Sequence, residues 1–144
     1  MNYTYFLGRI LVSLIFIWGG VQKLLNIGAF AKLLADLNVF VPDEITPYLG
    51  SIPKYEALAW LLAGLELACG LMVLLGLAAR WGALVLAVFM ASTIIYIHRF
   101  WEMTGAEYAL HQTAALKNLS ILGALLMIVA VGSSPRYFDR RPPP

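Results

Sequence analysis

Hydrophobic residues in this chain are gathered into four long stretches, each bounded by charged residues or proline. A helix rises about 1.5 Å per residue and the hydrocarbon core of a bilayer is about 30 Å thick. The shortest stretch has 17 residues, the lower end of the range of about 17–25 residues for membrane-spanning helices, so each stretch is predicted to cross a membrane as a helix, with some tilt. The four stretches run from about Tyr3 to Leu25, from Glu56 to Arg80, from Trp81 to His98 and from Asn118 to Ser134.

The connections between these stretches differ in length and pattern. Only residues 76–80 join the second stretch to the third, and this short connection predicts a tight antiparallel hairpin. The first connection, residues 26–56, contains apolar residues such as Phe30 and Leu34 at helical spacing, which indicates a short interfacial helix. The third connection, residues 99–116, is long enough for one or two helical turns on the same side of the membrane.

The composition agrees with a membrane protein. Hydrophobic residues make up 61% of the chain and charged residues 12%, whereas soluble domains carry about 25% charged residues. These values exclude a soluble enzyme, a nucleic-acid-binding protein and a disordered chain, and they make the lipid bilayer the expected partner. The predicted fold is all-α: a four-helix transmembrane bundle with short interfacial helices in the first and third connections. Residues 1–135 form its single domain and residues 136–144 a basic, proline-rich tail.

Four spans place both termini on one side of the membrane. Lys and Arg are divided equally between the two sides, five against five. Arg80 and the arginines of the tail lie in short segments, where the positive-inside bias acts. The prediction is therefore that the termini are cytoplasmic.

Glu66 is the main candidate for chemistry, because it is the one charged residue between Glu56 and Arg80. An ionisable residue at membrane depth costs at least a few kcal/mol, so it suggests a function. Ala63 and Gly70 share its helix face and are small enough to let another backbone approach. Glu66 is therefore predicted to point into the bundle.

In the first stretch, a set of residues falls on one helical face, with two basic residues at its ends. The members are Arg9, Ser13, Phe16, Gly20 and Lys23. Because successive spans cross the membrane in opposite directions, four polar residues are expected on the side of the long connections: Lys23, His98, Lys117 and Asn118. In that arrangement Glu66 is expected about half a membrane deeper, and Arg9 at the opposite boundary.

Two interpretations of these polar residues stay open. In the structural one, Glu66 pairs with Arg9 or Lys23 and fixes the helix register. In the functional one, a polar chamber binds a small ligand, and Glu66 and His98 exchange protons with it. The ligand-binding residues would then be the basic and amide side chains Arg9, Lys23, Lys117 and Asn118.

The histidines and the cysteine add little to this picture. His98 is either an interfacial histidine without a role or a functional one that Glu102, one turn later, could orient, and His111 is expected in a solvated loop. The two histidines do not have a metal-ligand spacing, so no metal site is predicted. Cys69 is the one cysteine of the chain, which excludes an intrachain disulfide and a CxxC redox pair.

Several segments, taken in order, resemble the DoxX-like family of membrane proteins. They are Arg9, residues 16–24, the long first connection, residues 66–77 followed by Arg80, His98 near Trp101, and residues 117–123. The resemblance implies a multi-pass protein of the bacterial inner membrane that is linked to redox physiology. Its implied ligand is a quinone-like small redox molecule, with no bound cofactor evident. Electrons would come from a membrane redox partner protein or a soluble donor.

Two other functions compete with this one. The chain could be a non-catalytic subunit that assembles or stabilises a partner complex, with its charges serving only to hold the bundle together. It could also be a small transporter, since polar groups at the membrane midplane are a transporter feature. Four spans without an internal repeat would then require an oligomer.

Overall fold

A computed structural model of the protein describes residues 3–132. Within that range, four helices are long and apolar enough to cross a membrane, which confirms the predicted all-α fold. The predicted tail, residues 136–144, lies outside the described residues. The α-helices are α1 Tyr3–Leu25, α2 Ile27–Asp36, α3 Lys54–Leu75, α4 Ala79–Tyr96 and α5 Gly105–Val131, and short 3-10 helices cover Asp43–Tyr48 and Phe100–Glu102.

Helices α1 and α3 cross at glycines. A Cβ atom at Gly20 would lie 2.9 Å from the backbone nitrogen of Leu67. A Cβ atom at Gly70 would lie 3.2 Å from the backbone nitrogen of Ile17. Side chains of any size at these glycines would hold the helices apart, so the predicted close approach of small residues is confirmed.

Helix α2 lies against the first turns of α3. Phe30 and Leu34 are buried on α2 and form one cluster with the buried residues Ala59 and Ala63. With 10 residues, α2 is about 15 Å long and too short to span a bilayer. A short helix is therefore present where the spacing of apolar residues predicted one; its place at the membrane interface stays a prediction.

A short turn joins α3 to α4. Gly76 ends α3 with a φ of 76°, a left-handed conformation in which glycine has no steric penalty. Two residues later, Ala78 also has a positive φ, 49°, and α4 begins at the next residue. The two helices then pack closely, since a Cβ atom at Gly82 would lie 3.1 Å from the carbonyl oxygen of Cys69. The predicted tight hairpin is confirmed.

The fourth span differs from the prediction in where it begins. Helix α5 starts at Gly105, 13 residues before Asn118, and has 27 residues. The polar residues of this segment suggested a non-spanning connection, but residues 106–117 contain neither proline nor glycine to end a helix. The helix is about 40 Å long and exceeds the hydrocarbon core by about 10 Å. The third connection is consequently reduced to residues 97–104.

Candidate functional site

Glu66 and Lys23 form an ion pair inside the bundle. Lys23 Nζ lies 2.5 Å from Glu66 Oε2, and the Glu66 side chain is 5% exposed. The carboxyl group thus points into the bundle, as predicted. Its expected depth, half a membrane from Lys23, is wrong. Because Gly20 contacts Leu67, the last turn of α1 reaches the middle of α3 and Lys23 comes level with Glu66.

The second carboxyl oxygen of Glu66 occupies space that a glycine leaves open. A Cβ atom at Gly19 would lie 2.7 Å from Glu66 Oε1 and 3.6 Å from Lys23 Nζ. Gly19 and Gly20 therefore act on different partners: Gly20 admits the α3 backbone and Gly19 admits the carboxyl group. The pair sits where it does because α1 carries two adjacent glycines.

Two aromatic rings flank the ammonium group of Lys23. Its Nζ is 5.5 Å from the centre of the Phe30 ring on α2 and 5.3 Å from the centre of the Phe89 ring on α4. Both distances are within the range in which a cation is attracted to the face of an aromatic ring. Lys23 is thereby held at the junction of α1, α2, α3 and α4.

The ion pair forms part of the wall of a cavity of about 290 Å³. This volume is close to the lower end for small-molecule sites, which are mostly apolar with a few polar groups that fix orientation. All five α-helices contribute to the wall. Its polar members are Lys23, Glu66, Ser92, Thr93, Tyr96, His98 and Asn118, and its apolar members include Phe30, Leu34, Leu62, Phe89 and Met90.

The structure brings together four of the six predicted site residues. Lys23, Glu66, His98 and Asn118 all line the cavity. Lys117 is exposed on α5, and the turn of about 100° between consecutive helical residues directs it away from its neighbour Asn118. The roles of the four cavity residues toward a ligand stay a prediction.

Arg9 lies at the other end of the bundle. It is 14 residues before Lys23, which is about 21 Å along α1. Its side chain is buried near the C-terminus of α3, where a Cβ atom at Gly76 would lie 2.8 Å from Arg9 Nη1. The helix dipole favours a cation at that position. Arg9 thus lies at the opposite boundary, as expected from its place on α1, and neither Arg9 nor Lys117 lines the cavity that holds Glu66, so their predicted part in binding the same ligand does not fit this geometry.

His98 has a different neighbour from the predicted one. Its Nδ1 lies 3.3 Å from Nδ1 of His111, so one neutral ring can donate a hydrogen bond to the other. Glu102 instead pairs with Arg99, at 3.3 Å. His111 is part of α5 rather than of a solvated loop, since α5 begins earlier than the polarity of this segment suggested.

Several wall residues of the cavity were not predicted from the sequence. Phe89, Ser92 and Thr93 lie in the middle and last turns of α4. A charge at membrane depth does not mark them, because α4 contains no charge beyond its first turn. The run Ser92-Thr93 followed one turn later by Tyr96 places hydroxyl groups inside an otherwise apolar span and is a signal for the two hydroxyl residues, whereas Phe89 carries no such signal.

Comparison with known proteins gives results for most of the chain. The family model described as DoxX matches residues 4–99, and the model of the SURF4 family matches residues 58–141. The chain is also similar to the inner membrane protein YphA of Escherichia coli. The two are 27% identical over 136 residues, which cover 94% of this chain and 87% of YphA. No solved structure matches the chain.

Proposed function

This chain belongs to the DoxX family, and we propose that it is an inner-membrane protein whose cavity binds a quinone-like small redox molecule. The location follows the four apolar helices and the similarity to an inner-membrane protein. The family alone does not select a ligand, so the chemistry of the cavity supports that part of the proposal.

One observation carries the proposal: a basic and an acidic group meet on the wall of a largely apolar cavity, between two aromatic rings. Lys23 and Glu66 supply the charges, and Phe30 and Phe89 supply the rings. A quinone has a flat ring with a carbonyl oxygen at each end. The cavity matches this chemistry with flat apolar surfaces and with hydrogen-bond donors on a largely apolar wall.

The hydrogen-bonding groups of the cavity wall suit both the oxidised and the reduced form of a quinone. An ammonium group has three donors, and Lys23 uses one of them on Glu66 Oε2. Another can reach a quinone carbonyl, while the amide of Asn118 can serve the second carbonyl. A carboxylate only accepts hydrogen bonds, so Glu66 is suited to accept a proton from the hydroxyl of the reduced ligand.

Proton exchange with water would use His98. This residue lines the cavity and contacts His111, so the two imidazoles connect the cavity wall to α5. Imidazole gains and loses protons near neutral pH and commonly carries protons between groups. The electrons of a redox step would pass to or from a separate membrane redox protein.

The first test is binding of a ubiquinone head group without isoprene units to the purified protein in detergent, measured by equilibrium dialysis. Wild type is expected to show saturable binding. Glu66→Gln should raise the dissociation constant at least about tenfold, or about 1.4 kcal/mol, because the amide no longer holds the Lys23 ammonium by charge. Glu107→Gln is the matched control, since Glu107 is exposed on the first turn of α5.

A second variant separates binding from folding. Asn118→Ala leaves the ion pair intact and removes one amide from the cavity wall, so it should weaken binding severalfold without changing the melting temperature. Absence of saturable binding to wild type would overturn the proposal. If Glu66→Gln then lowered the melting temperature, the charges would serve the bundle alone, as expected of a subunit that assembles or stabilises a partner complex.

Gly19→Ala is expected to disturb the site more than the fold. The added methyl group would meet Glu66 Oε1 at 2.7 Å, and that oxygen is the far end of a flexible side chain that can move. The melting temperature should stay near that of Gly64→Ala, a control whose added Cβ meets nothing within 4 Å from the rest of the described chain outside its own helix. Affinity for the head group should fall at least about fivefold in Gly19→Ala, or about 1 kcal/mol. Equal affinities of the two variants would contradict the assigned role of the carboxyl group.

A further inference from the structure

A second cavity lies between α3 and α4, next to the first. Its volume is about 190 Å³. Leu62 and Glu66 of α3 and Phe89 and Ser92 of α4 line both cavities. The two spaces are therefore adjacent, and the Glu66 side chain is part of the wall of each. We call the second one the α3–α4 groove, lined by Leu62, Leu65, Glu66, Val85, Leu86, Val88, Phe89 and Ser92.

The α3–α4 groove faces the hydrocarbon of the bilayer. Three of its wall residues have large exposed fractions: Leu65 40%, Val85 41% and Val88 62%. Residues 85–92 occupy the middle and the following turn of the 18-residue helix α4. Because α4 crosses the membrane, this part of it lies at the depth of the acyl chains. The groove thus opens sideways into lipid rather than toward water.

The wall of the groove is suited to a hydrocarbon chain. Six of its eight residues are apolar. Of the other two, Ser92 donates its hydroxyl hydrogen to the carbonyl oxygen of Val88, at 2.9 Å, and Glu66 accepts a hydrogen bond from Lys23. Polar atoms that are satisfied within the protein leave dispersion and shape as the main basis for recognition in this groove.

We propose that the ligand is a membrane-borne amphiphile with a long hydrocarbon tail, which enters between α3 and α4. Its head group would lie against the Lys23–Glu66 pair and its tail in the α3–α4 groove. This inference rests on the proposed function and adds the class of ligand and its route. The shared wall supports it, because Leu62, Glu66, Phe89 and Ser92 border both spaces and place them side by side, within reach of one molecule.

The experiment compares two probes: the ubiquinone head group alone and the same head group with two isoprene units. Both are titrated in the same detergent against wild type, Val85→Trp and Leu84→Trp. Val85 lines the groove, whereas Leu84 is the next residue on α4, is 38% exposed and belongs to neither cavity wall. Since the detergent is constant, partitioning of the tailed probe into micelles cancels between variants.

The expected result is selective. Val85→Trp should fill the groove and raise the dissociation constant of the tailed probe at least about tenfold, with no change for the head group alone; Leu84→Trp should change neither. Unchanged affinity of Val85→Trp for the tailed probe would overturn the inference and indicate that ordinary lipid chains occupy the groove. An equal loss for both probes would also overturn it, whereas the head-group site would stand. If wild type bound neither probe, the proposed function and the inference would both fail.

Discussion

Replacing Lys23 by methionine is expected to lower the free energy of unfolding by about 3–5 kcal/mol. The variant keeps an unbranched side chain but removes the ammonium group from Glu66, whose side chain is 5% exposed. A buried carboxylate without its counter-charge is costly, because burial removes most of the water that would otherwise solvate it. The measurement is thermal unfolding in detergent, or titration with a denaturing detergent, with helical circular dichroism as the signal.

The double variant Lys23→Met/Glu66→Met distinguishes the loss of a partner from the loss of packing. Replacing both members of a buried ion pair by apolar residues is often neutral or stabilising. The double variant should therefore unfold near the wild-type temperature, although the head-group probe would no longer bind. Lys32→Met is the control for the single change, since Lys32 is exposed on α2. A single variant as stable as this control would show that the pair contributes little to the fold.

The helical faces could be predicted from the sequence with good accuracy. The stripe on α1 predicted from spacing contains Arg9, Ser13, Phe16 and Gly20, and these are the buried residues of that helix. Glu66 is buried on α3 together with the small residues that share its face. Periodicity succeeds here because each helix turns by a fixed angle per residue. The sequence alone therefore shows which side chains, small or polar, share one face of the helix.

The axial position of one helix against another could not be predicted in the same way. Periodicity states which face of α1 meets α3, but the sliding of the two helices is set by the contact of Gly20 with Leu67. That contact brings Lys23 beside Glu66 and leaves Arg9 at Gly76. The start of α5 is a related case: polar residues suggested a break, whereas the uninterrupted run of helix-forming residues after Gly105 continues one helix.

The contact that sets this register also determines whether the site can form. Lys23 is one helical turn beyond Gly19, and Glu66 is the residue before Leu67. Any change that separates α1 from α3 at Gly20 consequently moves the ammonium and carboxyl groups apart. Stability and ligand binding should therefore fall together for substitutions at the helix crossing. They should separate for substitutions that alter only the groups facing the cavity, such as Gly19→Ala and Asn118→Ala.

Gly20→Ala is the sharpest test of this dependence. The added Cβ would lie 2.9 Å from the backbone nitrogen and the Cβ of Leu67, neither of which can move unless α1 and α3 separate. Overpacking of this kind costs about 1–3 kcal/mol. Gly8→Ala is the matched control on the same helix, because within residues 3–132 nothing beyond its own helix and chain neighbours lies within 4 Å of the added Cβ, and alanine there should be neutral or stabilising by up to about 1 kcal/mol.

In thermal unfolding, Gly20→Ala should melt several degrees below Gly8→Ala, and its affinity for the head-group probe should fall at least about tenfold. The loss of affinity follows because separation at Gly20 also lengthens the distance between Lys23 Nζ and Glu66 Oε2, which is 2.5 Å in the wild type. If Gly20→Ala melted at or above Gly8→Ala, the close approach of α1 and α3 would not determine the register of the bundle. Reduced stability with unchanged affinity would instead separate the helix crossing from the ligand site.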